Sequence, residues 1–207
     1  MRRTKEEAAV TRESLLQAAL QVFSRKGYTA ATLEDVARQA GVTRGAIYWH
    51  FGSKAELYTA LMSEYSSHSG EIVQAAVAEG GMLVDILNRV FVRLLLAVER
   101  DPALRSVMEI SLFKTERTPD LMEAQQQRIE SGRQLLAGIA DAMRQGIAAG
   151  ELRADLDPAE MARAFIALQN GAMYLWLWDP AAFSLKDSAP RLAEIFLQGI
   201  LPRGGQA

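Results

Sequence analysis

The chain has 207 residues, of which 49% are hydrophobic and 23% charged, with a net charge of -2, the composition of an ordinary globular protein. It contains no cysteine, which excludes disulfides, thiolate metal sites and cysteine nucleophiles. No run of about 18 apolar residues occurs, and the charged N-terminus has no apolar stretch behind it, so we expect a cytoplasmic protein without a signal peptide or membrane-spanning helix.

The charges are distributed unevenly along the chain. Residues 1–54 contain nine Lys and Arg and five Asp and Glu, a net charge of +4, whereas residues 55–207 contain 14 and 20, a net charge of -6. A basic first segment suits a protein that meets phosphates there. Chance asymmetry is the alternative explanation for an excess of this size.

The first part of the chain has a strong helical pattern, and no convincing two-residue alternation typical of a strand occurs. The first helix is predicted from Lys5 to Lys26, because Gly27 ends the periodic run. Thr32 and Thr43 have the properties of N-caps of two short helices. Only Gly41-Val42-Thr43 separates these helices, which is the spacing of a helix-turn-helix.

A long helix is predicted to begin at Lys54, with Ser53 and Glu56 as a capping box, and to end before Gly80-Gly81. Later helices are predicted from an apolar face that begins at Leu83, near residues 102–113, 119–149 and 158–178, and from near Asp187 to before Pro202. The chain is therefore predicted to be all-α, with about nine helices: a three-helix helix-turn-helix domain at 1–54 and a second helical domain at 55–207. Residues 203–207 are predicted to be disordered.

The segment from Thr32 to Leu57 contains three short motifs in a fixed order: Ala40-Gly41-Val42 in the turn, Tyr48-Trp49-His50-Phe51 at the end of the second short helix, and Lys54-Ala55-Glu56-Leu57 opening the long helix. On these motifs the chain resembles the TetR/AcrR family of bacterial regulators. The resemblance implies a transcriptional repressor with no enzymatic activity and no cofactor, which binds double-stranded DNA at a palindromic operator. It also implies that the second domain binds an effector and pairs two chains into a homodimer.

The residue types around the turn suit DNA binding. A recognition helix shows its N-terminal residues to base edges in the major groove, and small residues there allow close approach. Free N–H groups at helix starts favour phosphates, and aromatic residues at the helix end can donate to phosphates. A basic arm of Arg2, Arg3 and Lys5 could follow the backbone or a minor groove. The predicted DNA contacts are Arg3, Thr32, Thr43, Arg44, Gly45, Tyr48, Trp49, His50 and Lys54.

Each of these residues has a structural alternative. Ile47 and Phe51 are predicted to be core residues, and Trp49 could belong to the core as well as to the DNA surface. His50 could simply lie at a helix end. Terminal basic residues such as Arg3 are often only solvated.

The second domain contains suitable material for an effector site. Seven of the eight methionines follow residue 60, and Met-rich walls adapt to varied apolar ligands. Aromatic residues and a few polar groups complete the pattern of a small-molecule pocket, although the same residues can simply fill a core. The predicted ligand-binding residues are Phe91, Met108, Glu109, Phe113, Phe165, Gln169, Asn170, Met173 and Trp176. The helix at 158–178 and the last helix, with Leu192, Ile195, Phe196, Ile200 and Leu201, are candidates for a four-helix dimer bundle.

Within the family, Met108-Glu109-Ile110 followed by Lys114 and Glu116 is similar to a segment of AcrR-type repressors of multidrug efflux pumps. This similarity implies control of an efflux pump and release from the operator by apolar small molecules. Three nearby positions depart from that branch: Phe113, Thr115 and Arg117. The alternative is a regulator of the same family that controls metabolic genes, for lipid or catabolic pathways.

Two other classes of protein fit the sequence less well. For an enzyme or a metal site, His50 and His68 have no metal-pair spacing, and the chain has no nucleophile elbow, P-loop or dinucleotide fingerprint. A purely structural helical protein would not need Gly45 and Ala46 beside Arg44.

For a dimeric regulator, the two recognition helices should lie about 34–36 Å apart to enter successive major grooves. A ligand that prefers a wider spacing would release the DNA.

Overall fold

A computed structural model describes residues 5–202. The predicted roles of Arg2 and Arg3, the side chain of Lys5, and the predicted disorder of residues 203–207 lie outside the described residues. Within residues 5–202 there is no strand, and the all-α prediction is confirmed. The nine described helices are α1 (Lys5–Ala30), α2 (Leu33–Gln39), α3 (Arg44–His50), α4 (Lys54–Ala78), α5 (Leu83–Arg100), α6 (Pro102–Phe113), α7 (Met122–Ala148), α8 (Pro158–Trp178) and α9 (Leu185–Ile200).

The chain forms two compact units. The N-terminal unit contains the chain up to His68 together with Pro102–Gln125, and the C-terminal unit contains Ser69–Asp101 and the chain from Gln126 onward. Helices α4 and α7 each contribute residues to both units. The assignment of DNA binding to 1–54 and of effector binding and dimerisation to 55–207 stays a prediction. No helix among residues 5–202 is long and apolar enough to cross a membrane.

The break predicted at Gly27 is confirmed, and the chain then makes one more helical turn to Ala30. Gly27 has φ 74° and ψ 169°, a backbone conformation that residues other than glycine rarely adopt. The following N–H, of Tyr28, donates to the Lys114 carbonyl oxygen at 2.9 Å instead of continuing the helix. A Cβ at Gly27 would lie 3.2 Å from that oxygen, so both the backbone angle and the close approach require glycine here.

Local side-chain chemistry starts the short helices. The Thr32 hydroxyl accepts a hydrogen bond from the Asp35 N–H at 3.1 Å, and the Asp35 carboxylate accepts from the Thr32 N–H at 3.2 Å, which is a full capping box. Thr43 caps α3 through the Ala46 N–H at 3.2 Å. Both N-caps were expected from the sequence and are confirmed.

The start of α4 differs in one detail from the predicted capping box. The Ser53 hydroxyl accepts from the Glu56 N–H at 3.1 Å, as expected. The Glu56 carboxylate, however, accepts from the Gly52 N–H at 2.9 Å, so the predicted return bond to Ser53 is wrong. The acid reaches one residue further back, and the Gly52 N–H thereby gains a partner.

Two later helices begin at other residues than expected. A 3₁₀ turn, Pro119–Leu121, precedes α7, which therefore begins at Met122 rather than at 119. Helix α9 begins at Leu185, two residues before the predicted start, because the Ser184 hydroxyl accepts from the Asp187 N–H and caps it. In both places several polar residues near the boundary could cap the helix, and the sequence alone did not select among them.

Each unit has its own apolar core. In the N-terminal unit, Phe23, Tyr28 and Ile47 are fully buried, and the predicted core position of Phe51 is confirmed. In the C-terminal unit, the Phe165 ring packs edge-on against two others, with centroid distances of 5.7 Å to Phe91 and 5.4 Å to Phe196. Such tilted aromatic pairs add to the stabilisation that burial provides.

Candidate nucleic-acid interface and sensor residues

Helices α2 and α3 are joined by a tight turn. Gly41 takes φ 68°, and the Val42 N–H turns back to the Ala37 carbonyl oxygen at 3.0 Å. Val36 and Ile47, one from each helix, are fully buried in the common core of the unit. The turn and this shared core hold the two short helices in a helix-turn-helix arrangement, which leaves the opposite face of α3 to the solvent.

The exposed face of α3 carries the side chains predicted to meet DNA. Trp49 is 71% exposed and Tyr48 is exposed, so the structure places Trp49 on the surface and not in the core. Arg44, the first residue of α3, has a 71% exposed side chain. His50 is half-buried, with its ring 4.5 Å from the Trp49 ring in an edge-on arrangement. A slim helix with an exposed arginine at its start and aromatic residues at its end suits the major groove and its flanking phosphates.

Gly45 and the two threonine caps lie at or near the starts of α2 and α3, and their DNA contacts stay predictions. A Cβ at Gly45 would meet only the Thr43 hydroxyl oxygen, at 3.9 Å, so the backbone there is open to approach. The Thr32 hydroxyl also donates to Asp35 at 3.0 Å. Hydrogen bonds from Lys26 and then from Thr32 hold the pKa of the Asp35 carboxyl below its usual range. The N–H and the hydroxyl of Thr32, at the start of α2, are therefore already bonded to this carboxylate.

Lys54 has partners that the sequence did not reveal. Its ammonium donates to the carbonyl oxygens of Tyr28, Thr29 and Ala31 at 2.9, 3.2 and 3.1 Å. These carbonyls lie at the end of α1, where no helical N–H remains to pair with them. Lys54 therefore closes the C-terminal end of α1 in this structure, and its phosphate contact stays a prediction.

Two further pairs in the N-terminal unit were missed by sequence reasoning. Arg44 forms an ion pair with Glu34 of α2 at 2.6 Å. The Tyr28 hydroxyl donates to the Asp120 carboxylate, across 92 positions of sequence. No sequence signal distinguishes Glu34 or Asp120 from other surface acids, because both pairs depend on how helices pack.

The predicted ligand-binding residues are divided between the two units. Three of them lie on α6 in the N-terminal unit. Met108 packs against the core of that unit, Glu109 lies 3.6 Å from Lys114, and Phe113 is exposed. Their role in ligand binding stays a prediction.

The other six lie in the C-terminal unit, and the structure brings three of them together. Phe91 and Phe165 are in ring contact, and the Gln169 side-chain amide donates to the Phe91 carbonyl oxygen at 3.4 Å. Gln169 is a buried polar side chain within an apolar core. Trp176 is buried, Met173 half-buried and Asn170 exposed. These residues form part of the apolar core of the unit, and their role in ligand binding stays a prediction.

An exposed recognition helix on a tight helix-turn-helix, followed by a larger helical unit, defines the class of DNA-binding transcriptional regulators. Residues 15–61 match the model of bacterial regulatory proteins, tetR family, and residues 83–201 match that of the MAATS-type transcriptional repressor, C-terminal region. The chain belongs to the TetR family and is a transcriptional repressor. The resemblance found on the sequence motifs is confirmed, and the family is one of regulators, not of enzymes.

Similar proteins cover nearly the whole chain. The HTH-type transcriptional regulator TtgR of Pseudomonas putida is 37% identical over 190 residues, which are 89% of each chain. The crystal structure of NalD, the secondary repressor of the MexAB-OprM multidrug efflux pump in Pseudomonas aeruginosa, has a TM-score of 0.82 at 27% identity and covers 95% of this chain and 98% of its own. The complex of triclosan with SmeT, the repressor of a Stenotrophomonas maltophilia multidrug efflux pump, has a TM-score of 0.80 at 29% identity. The match covers 94% of this chain and 93% of the SmeT chain.

Proposed function

We propose that this repressor is a cytoplasmic homodimer that controls a multidrug efflux pump and leaves a palindromic operator when an apolar small molecule binds. The observation that carries the proposal is similarity over nearly the full length to NalD and SmeT, both repressors of multidrug efflux pumps. Similarity confined to the DNA-binding segment would support only a regulator. Here it includes the helices that contain the predicted effector residues.

The DNA contacts come from the exposed face of α3 and its neighbours. Arg44 at the start of α3 is suited to read a base edge, since the residues at that end of a recognition helix enter the groove. Tyr48 and Trp49 are exposed and suited to flanking phosphates. Thr43 lies beside Arg44 at the end assigned to base edges, and Gly45 is assigned to close approach of the backbone. Contacts to phosphates are assigned to Thr32, His50 and Lys54. The assignment of Arg3 rests on its position in the basic N-terminal arm.

The dimer interface is assigned to α8 and α9. On α8, Leu175 is exposed and Trp178 is 74% exposed, and on α9 Ile195 is 67% exposed. Large apolar side chains with so much exposed surface favour burial against a partner chain. Two neighbouring helices from each protomer would form a four-helix bundle, with the same surface used twice. Phe196 and Ile200 are buried within their own chain, so they support the helix and Ile195 faces the partner.

The effector is assigned to the C-terminal unit, around Phe91, Phe165 and Gln169. The buried amide of Gln169 would orient a polar group of an otherwise apolar ligand. Binding shifts the equilibrium only if the ligand prefers the state that does not fit DNA. Helices α4 and α7 belong to both units and provide covalent continuity for this coupling.

The proposal is tested by fluorescence anisotropy of the full chain on its own upstream intergenic DNA, against a scrambled duplex at physiological salt. We expect specific binding to be ~10³-fold or more tighter, and we expect triclosan, used as an apolar probe, to release the protein. The Tyr48→Ala variant should lose affinity for both duplexes while keeping its thermal stability. A bound site that lies beside no pump gene would contradict efflux control. Absence of any preferred sequence, also in a random pool, would contradict operator binding.

A further inference from the structure

The ion pair between Glu34 and Arg44 links the two helices of the DNA-binding motif. The Arg44 Nη2 lies 2.6 Å from the Glu34 Oε1. Glu34 is in the first turn of α2 and Arg44 is the first residue of α3. Their side chains are 35% and 71% exposed. The pair therefore lies at the surface, at the end of the recognition helix that enters a groove.

The fold does not depend on this pair. Asp35, not Glu34, completes the capping box of α2 with Thr32. An ion pair this exposed contributes little to stability, because solvent screens it and two long side chains must be ordered. An acid in the first turn of α2 is favoured by the helix dipole, and the ion pair with Arg44 adds little to folding beyond that.

The pair leaves Arg44 able to read a base. A guanidinium has five N–H donors in a rigid fork, and the ion pair with Glu34 is made through one of its nitrogens, Nη2. The remaining donors can form the two parallel bonds to O6 and N7 of guanine. A carboxylate that holds one edge of the fork restricts the rotamers of a long side chain, which lowers the entropy lost when the base is bound.

The charge of Glu34 acts on DNA of any sequence. A carboxylate beside the recognition helix is repelled by phosphates and offsets part of the attraction of Arg44. Non-specific binding is almost entirely this phosphate attraction, so the acid weakens it. Hydrogen bonding to a base edge depends instead on the direction in which the Arg44 donors point, and the ion pair restricts that direction. The repulsion lowers the affinity for every sequence, and the orientation of Arg44 raises the ratio of specific to non-specific affinity.

We propose that Glu34 is a specificity-determining positioning residue, whose carboxylate holds the Arg44 guanidinium in place for a guanine in the major groove and weakens binding to non-specific DNA. The inference rests on the proposed base contact of Arg44.

The test begins with duplexes selected from a random pool by the wild-type chain. The Arg44→Ala variant identifies the base pair that Arg44 reads, because there replacement of the guanine no longer lowers the affinity. Discrimination between bases at that position should fall by about 5- to 150-fold. Glu34→Gln should lower discrimination at that same base pair by about 3-fold or more, and tighten binding to a scrambled duplex. Glu34→Asp keeps the charge and shortens the reach, so it should lose discrimination without the tighter scrambled binding.

The matched control is Glu130→Gln, which removes the same charge from another exposed Glu–Arg pair, with Arg133 on α7 in the C-terminal unit. It should leave both quantities unchanged. Unchanged discrimination in Glu34→Gln, with discrimination lost in Arg44→Ala, overturns the role of Glu34 and leaves the base contact intact. Unchanged discrimination in Arg44→Ala overturns the base contact and this inference together. If the wild-type chain selects no duplex, the proposed operator binding itself fails.

Discussion

The ammonium of Lys54 lies 4.4 Å from the centre of the Tyr28 ring. It donates at the same time to three carbonyl oxygens at the end of α1. A cation over an aromatic face and beside a helix C-terminus is stabilised by both the ring and the helix dipole. The first residue of α4 thus secures the end of α1, which carries much of the core of the N-terminal unit.

Lys54→Met, which keeps the aliphatic stem and removes the donors, should lower the free energy of unfolding by about 1–2 kcal/mol, a value reduced for partial exposure. Urea unfolding followed by circular dichroism measures it. The control is Lys186→Met, at an exposed lysine of α9, which should change little. Unchanged stability with weakened DNA binding would show instead that Lys54 acts on phosphate and not on α1.

The contact of Tyr28 with Asp120 makes stability depend on pH. Interaction with the Thr118 hydroxyl and then with Tyr28 lowers the pKa of the Asp120 carboxyl from its ordinary value of 3.8. Burial, and then Asp120, raises the pKa of the Tyr28 phenol. Because the pKa of Asp120 is lower in the folded chain than in the unfolded chain, its stabilising contribution is present above 3.8 and is lost as the pH falls through the folded value.

Tyr28→Phe should therefore lower stability at neutral pH by about 1 kcal/mol and flatten the loss of stability below pH 3.8. Asp120→Asn should flatten the same acidic limb. The two changes combined should cost less than their sum, because each removes the same contact. Full additivity in denaturant unfolding at both pH values would show that the two groups act independently.

Two glycines of α7 should respond in opposite directions to alanine. A Cβ at Gly132 would meet no atom within 4 Å, so Gly132→Ala should stabilise the helix by about 0.5–1 kcal/mol. A Cβ at Gly146 would lie 2.6 Å from Leu83 Cδ2 and 3.0 Å from Leu152, so Gly146→Ala should cost about 1–3 kcal/mol. Thermal unfolding of the two variants measures both changes in stability. Equal shifts in the two variants would show that helix propensity outweighs the packing of α7.

The assignment of α9 to the dimer interface predicts that Ile195→Glu produces a monomer. A buried unpaired carboxylate opposes association, and loss of the second half-site should weaken operator binding by about 100-fold or more. Ile129→Glu, at an exposed isoleucine of α7, is the matched control and should remain dimeric. Sedimentation velocity distinguishes the two states. A dimeric Ile195→Glu protein would place the interface elsewhere.

Features that depend on neighbours in sequence were predictable from the chain alone. The caps at Thr32 and Thr43 need only a hydroxyl within three residues of a free N–H, and the core position of Ile47 follows from its place in a helical period. The motifs of the helix-turn-helix are local in the same sense, which is why the family could be identified from one short segment.

Contacts between distant residues were decided only by the tertiary structure. The partners of Lys54 lie 23 to 26 positions away, and Asp120, the partner of the Tyr28 hydroxyl, lies beyond α6. The pairing of Arg44 with Glu34, and the separation of Phe113 from Phe165 into different units, likewise depend on which helix faces pack together. The periodic pattern of a helix defines which face is apolar, whereas the pairing of polar groups across helices depends on packing geometry that the pattern does not contain.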